Sequence, residues 1–295
     1  MMGALLRGLA MGGLFAVLLA SERKRPLREP VEPGTSRLAR NLALAALDVA
    51  VAYRIERPIL DKAARAIERR GLAVVPRLPL PRPARSLAAV LLLDYSLYGW
   101  HVASHRAGLL WRFHQVHHAD LDLDLTTAYR LHFGEALLAI PFHIVQMAIT
   151  GVSLRTFEAW RMVSASMRLF HHSNLRMSAL QERSLVRWLV TPRMHGIHHS
   201  MVRSDAESNY SRGLTLWDRM HGTLRLNLPQ EILTIGLPAW RRPGQIGIVE
   251  SLALPFARDR DPWQAPPSSR PSRSRALIAT PEPPPEAGTE ARAKA

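Results

Sequence analysis

The sequence predicts an all-α protein, a membrane helical bundle bearing a histidine-rich di-metal helical domain on its cytoplasmic side. Three observations carry that reading. Apolar runs of helical length recur at 3–20, 38–53 and 87–100. All thirteen histidines fall between His101 and His221, mostly three or four residues apart, the spacing that stacks side chains on one helix face. The formal net charge is +15, and arginines flank the apolar runs as they do where helices meet an anionic membrane surface. A nucleic-acid footprint would cluster that charge on one segment, interleaved with aromatics. Here it is scattered along the chain, so no nucleic-acid partner is expected.

The first helix is expected over 3–20, apolar except for Arg7 and followed by Glu22, Arg23, Lys24 and Arg25. A cleaved signal peptide is the competing reading. The basic flank follows the apolar run instead of preceding it, which favours an uncleaved anchor with the segment after Ala20 cytoplasmic. The second run is weakened by Asn41 and Asp48, and the third leads straight into His101. Both fall short of a full span and fit half-buried or interfacial helices. Between them the pattern gives an amphipathic helix over Ile59 to Arg70 and an irregular loop from Pro76 to Pro83, where prolines end helices on either side.

Histidines on both sides of residues 136–170 can share one site only if an even number of crossings separates them. A helical hairpin satisfies this, with arms at 136–149 and 156–170 and a turn near Thr150 and Gly151. Glu158, Arg161 and Arg168 make its second arm amphipathic or packed in protein. Tyr95, Tyr98 and Trp100 suit a membrane interface. Beyond Asp218, Pro229, Pro238 and Pro243 mark loops. From Pro262 onward eight prolines in 34 residues, mixed with Ser, Arg and Glu, predict a disordered tail.

Ten of the histidines are clustered: His101 and His105; His114, His117 and His118; His171 and His172; His195, His198 and His199. Two clusters repeat the pattern H-x-x-H-H. Ten imidazoles exceed what one octahedral ion accepts, so two ions sharing nine or ten nitrogens is the economical count, and neutral imidazole suits iron, zinc, copper or nickel. Cysteine is absent, which excludes thiolate zinc sites, iron–sulfur clusters, disulfide scaffolds and cysteine nucleophiles. No H-E-x-x-H occurs. Nor does the E-x-x-H pair of ferritin-like sites, since Glu135, Glu158, Glu182 and Glu207 are followed three residues on by Leu138, Arg161, Leu185 and Tyr210. P-loop, dinucleotide and G-x-S-x-G signatures are also missing.

The words around these clusters are HVASH (His101 to His105), FHQVHH (Phe113 to His118), FHHSN (Phe170 to Asn174) and TPRMHGIHHS (Thr191 to Ser200), with DYSLY, LWRFH, SNY and LWDRMHGT in order. By them the chain resembles the fatty acid hydroxylase and sterol desaturase superfamily of membrane non-haem di-iron oxygenases, from about Asp94 to Phe256. The resemblance implies metal ligands at His101, His105, His114, His117, His118, His172, His195, His198 and His199. His171 is the reserve, because members place their histidine directly before the small residue and Asn174, and adjacent helical positions point about 100 degrees apart. His132, in YRLHFGE, stands where many members have R-x-H-P-x-E, and its role stays open between ligand and support. Asp94, Asn174, Asp205, Asn209 and Asp218 are candidates for orienting ligand imidazoles through their second N–H, with helix capping or surface charge as the alternative. His143, after Pro141 in an apolar stretch, reads as packed or hydrogen-bonded.

The resemblance further implies three regions: 1–85, membrane anchor and basic linkers; 86–256, the catalytic domain; 262–295, the tail. It implies an integral membrane oxidoreductase with its catalytic face in the cytoplasm. Two iron ions and dioxygen would hydroxylate or desaturate an unactivated C–H position of a membrane lipid. With no flavin, haem or iron–sulfur motif in the chain, electrons must come from an external donor, a reductase with a ferredoxin or cytochrome. The alternatives are a histidine-rich membrane protein that binds or transports a metal, and a di-zinc hydrolase.

Overall fold

The structure, a computed structural model, describes residues 2–32, 35–257 and 260–265. Their regular structure is helical, with isolated bridges and no β-strand among them. The long helices are α1 (Met2–Lys24), α2 (Thr35–Val51), α3 (Arg57–Arg69), α4 (Arg82–Arg106), α5 (Gly108–His118), α6 (Phe133–Thr150) and α7 (Leu154–His172). Five short ones follow: α8 (Ala179–Leu185), α9 (Pro192–His198), α10 (Arg203–Ala206), α11 (Leu216–Met220) and α12 (Ile248–Ala253).

The expected hairpin is α6 and α7. Gly151, in the left-handed region at φ 68°, ends α6, and the Ser153 hydroxyl accepts the Thr156 N–H to start α7. Its arms diverge: α6 packs against α2, α3 and α4, while α7 packs against α1 and α9. Among the described residues α6 alone is long and apolar enough to cross a membrane. α4 carries the third apolar run and continues unbroken through His101 and His105, so both histidines sit in its last two turns.

Polar residues in and beside the first two runs lock the fold together. Arg37 and Asn41 on α2 close over the buried Asp120, which follows α5: Arg37 Nε and Nη2 donate to its two carboxylate oxygens at 2.9 and 2.8 Å, and Asn41 Nδ2 at 3.2 Å. This bidentate pair holds the Asp120 carboxyl well below the usual carboxylate range despite its burial. The charged last turn of α1 is likewise not wholly solvated. Glu22 turns inward to accept the backbone N–H groups of Leu125 (3.1 Å) and Asn174 (2.8 Å), and Leu18 packs with Leu125, Ala128 and Leu169.

The first residues of the predicted tail make contact with the rest of the chain. The Pro262 carbonyl accepts the Ala239 N–H, and Trp263 stacks on Trp111 with ring centroids 5.4 Å apart. The remainder of the predicted tail, 266–295, lies outside the described residues.

Candidate metal centre

Four helices bring nine imidazoles together in two adjacent groups. His101, His105, His114, His118 and His198 form one, and His117, His172, His195 and His199 the other; within each group one nitrogen per ring lies within 4.8 Å of the rest. These are the nine ligands the family resemblance implies. Each H-x-x-H-H motif divides two to one. On α5 the i and i+4 pair, His114 and His118, joins the first group while His117 turns to the second. At α9 the pair His195 and His199 joins the second and His198 turns to the first. The 100-degree step between neighbouring helical positions dictates that split. One turn of helix therefore serves both groups, and the His118 and His199 rings stack at 4.4 Å where the groups meet.

The ring nitrogens are prepared for a cation. Nδ1 of His101 donates to the Tyr210 carbonyl (2.7 Å), that of His198 to the Ser208 carbonyl (2.8 Å) and that of His172 to the Arg168 carbonyl (2.8 Å). A carbonyl only accepts, so each ring carries its proton on Nδ1 and its lone pair on Nε2. In the first group Nε2 of His105, His114, His118 and His198 is buried with no hydrogen-bond partner. In the second, the Nε2 atoms of His117 and His172, His172 and His195, and His195 and His199 approach to 2.9, 3.0 and 3.1 Å. An ion about 2.1 Å from each nitrogen sets neighbouring donors about 3 Å apart, so this spacing fits a first-row cation. Burial pushes the imidazoles of His117, His118, His195 and His199 well below their ordinary pKa, with neighbouring rings adding to the effect. His198 is pushed down to about 3, again mainly by burial. Neutral imidazole is the ligating form.

Glu135 is the carboxylate that the sequence reading missed. Its oxygens accept from His114 Nδ1 at 3.2 and 3.3 Å. An E-x-x-H spacing discloses a carboxylate only as a ligand, whereas the signal for this role is the R-x-H-x-x-E word from Arg130 to Glu135. The five polar candidates serve otherwise. Asp218 accepts the N–H groups of Tyr210 (2.8 Å) and Ser211 (3.0 Å), and so fixes the carbonyl that His101 uses. Asn209, at a positive φ of 52°, ties that same loop to Met194 and Arg225. Asp94 accepts from the Leu214 backbone and Trp217 Nε1, Asp205 from Arg225 and Ser200, and Asn174 clasps the backbone of Arg28.

The remaining histidines stand outside both groups. His132 caps α6, its Nδ1 accepting the Gly134 N–H at 2.9 Å while Nε2 donates to the Leu252 carbonyl at 3.3 Å. Both of its nitrogens are thus engaged by backbone. His171 packs against His172 and His195, with centroids 4.7 and 4.2 Å away. His143 bonds Glu56 at 2.6 Å, and His221 stacks on Tyr98 at 4.9 Å.

A cavity of about 200 Å³ opens beside the two groups, between α4, α6 and α7. His101, His114, His117, His172 and His195 form its floor, and Leu97, Trp100, Ala139, Phe142 and Trp160 its apolar wall. Trp100 in this wall stacks on Phe142 with ring centroids 4.7 Å apart.

Residues 86–223 match the fatty acid hydroxylase family. The chain is 30% identical to an ornithine lipid hydroxylase of Rhizobium tropici over 181 residues, 60% of this chain and 52% of that protein. It is 27% identical to an alkylglycerol monooxygenase of Xenopus tropicalis, over 50% of this chain and 32% of that one, and 27% identical to a cholesterol 25-hydroxylase of Mus musculus, over 51% and 50%. The matched region thus spans about half or less of each relative's length. No solved structure matches the chain. Every histidine of the two groups lies inside 86–223, the stretch that matches the fatty acid hydroxylase family.

Proposed function

We propose that the protein is a membrane-bound di-iron oxygenase that hydroxylates an unactivated C–H position of a lipid. The observation that carries the reading is the pair of imidazole groups flooring a cavity with an apolar wall. The relatives named above are lipid hydroxylases and monooxygenases, which favours hydroxylation over desaturation for this chain. His101, His105, His114, His118 and His198 would hold one iron and His117, His172, His195 and His199 the other. Once bound, the irons supply dioxygen activation with electrons from an external reductase and its ferredoxin or cytochrome.

The chain's own residues fix geometry and exclude water. Glu135 and the Ser208 and Tyr210 carbonyls hold imidazole orientation through Nδ1. Trp100 and Phe142 present an alkyl chain to the floor and keep bulk water from it. Immersion in a bilayer is supported by α6 and by the apolar side chains that α1, α2, α4, α6 and α7 leave exposed, among them Leu9, Val49, Leu87, Val145 and Val163. The charge flanking these helices supports a cytoplasmic catalytic face.

The test is expression with a reductase system under ¹⁸O₂, with lipids compared against a His114→Ala, His198→Ala double variant. A lipid that gains one labelled oxygen in the parent alone supports the assignment. An unchanged lipidome, with iron bound and reducible, overturns it in favour of metal handling.

A further inference from the structure

Most guanidinium groups buried in this fold meet a partner. Arg37 pairs with Asp120 and Arg40 with Glu32, and Arg130 donates to the Val116 carbonyl and the Ser251 hydroxyl. Arg168 and Arg212, both half-buried, do not. Both line the cavity above the histidines, and neither enters an ion pair or donates a side-chain hydrogen bond to protein among the described residues. Nε of Arg168 is buried without a partner. The two cations repel each other, and of the cavity's two carboxylates Glu135 is already engaged by His114. Asp48 is the cavity's remaining free carboxylate, and it balances only one of the two. Unpaired like charges in an internal cavity are costly unless a ligand completes them.

Resting on the oxygenase reading above, we propose that Arg168 and Arg212 form an anion subsite, so that the lipid oxidised here carries a carboxylate or phosphate within a few bonds of the reacting carbon. Both arginines are tied to ligand histidines. Arg168 sits one helical turn before His172 and accepts its Nδ1–H through the backbone carbonyl, and Arg212 follows the Tyr210–Ser211 segment whose Tyr210 carbonyl accepts from His101. An anion clamped between them lies close to the floor. That geometry selects oxidation near the polar end of a lipid over oxidation far along its alkyl chain. Guanidinium is suited to either anion through paired N–H donors.

The test measures binding to the purified, metal-containing full chain in neutral detergent, using three probes of one chain length: octanoate, octyl phosphate and octanol. Calorimetry should give at least one anion an affinity about tenfold above octanol, and the anion preferred identifies the headgroup chemistry. Arg168→Gln and Arg212→Gln should each erase that preference while octanol binding holds, and Arg168→Lys should restore part of it. An Arg57→Gln change on the surface is the control. Equal affinity for all three probes in the parent overturns the subsite, as does a preference that survives in either single variant or the double variant. Iron binding and lipid turnover without anion preference would sink the subsite alone. Anion preference in a chain that takes up no iron would sink the oxygenase reading and leave the subsite standing.

Discussion

Glu135→Gln removes a charge from the metal centre and almost nothing else. The amide keeps the carboxylate's shape, so His114 still has an acceptor for Nδ1, but the charge-assisted bond at 3.2 to 3.3 Å becomes a neutral one. Bonds to charged groups contribute roughly 1 to 1.5 kcal/mol more than neutral ones, and a decade of affinity is about 1.4 kcal/mol, so iron binding at the first group should weaken about tenfold. The second group contains no ligand that touches Glu135 and should change little. Anaerobic titration of iron into the metal-free protein against a competing chelator resolves the two affinities. One weakened site and one unchanged site is the expected result. Two unchanged sites would refute the role given to Glu135, and two lost sites would refute the division of the histidines.

Further expectations follow from the same geometry. His118→Ala should lower affinity at the first group and His117→Ala at the second, although the residues are adjacent in sequence; Mössbauer spectra of partly loaded variants separate the sites. His143→Ala leaves Glu56 paired with Arg161, so it should cost about 1 to 3 kcal/mol in thermal unfolding and leave iron content at the parent value. Asp120→Asn opens a buried ion pair and should cost about 3 kcal/mol or more. In the parent, Asp120 has a folded pKa held below its unfolded one. Its contribution is therefore fully present above about pH 4 and is lost as pH falls further, a slope that Asp120→Asn should flatten in acid-unfolding curves.

The parts of this protein written as side-chain chemistry were legible in its sequence. Ligand-type residues at helical spacing disclose His101 and His105, or His114 and His118, because a helix must place them on one face. The same step of 100 degrees separates His117 from His118, His198 from His199 and His171 from His172. Backbone acceptors are another matter. The carbonyls of Ser208, Tyr210 and Arg168 that orient three imidazoles depend on where a loop and a helix end come to rest, and any residue type supplies a carbonyl. Candidates chosen for their side-chain oxygens therefore pointed to Asp218 and Asn209, which hold that loop, and passed over the groups that touch the rings. Among the helices, α3 and the α6–α7 pair were readable from periodicity and turn residues, whereas the inward Glu22 and the Arg37–Asp120 pair join segments about a hundred residues apart or nearly so and leave no local trace.

The central claim is that two irons lie in two histidine groups, and anomalous scattering at the iron K-edge from crystals of the full chain tests it most directly. The account predicts two peaks, one among His101, His105, His114, His118 and His198 and one among His117, His172, His195 and His199. A single peak, or peaks away from these rings in protein that still oxidises lipid, would contradict it.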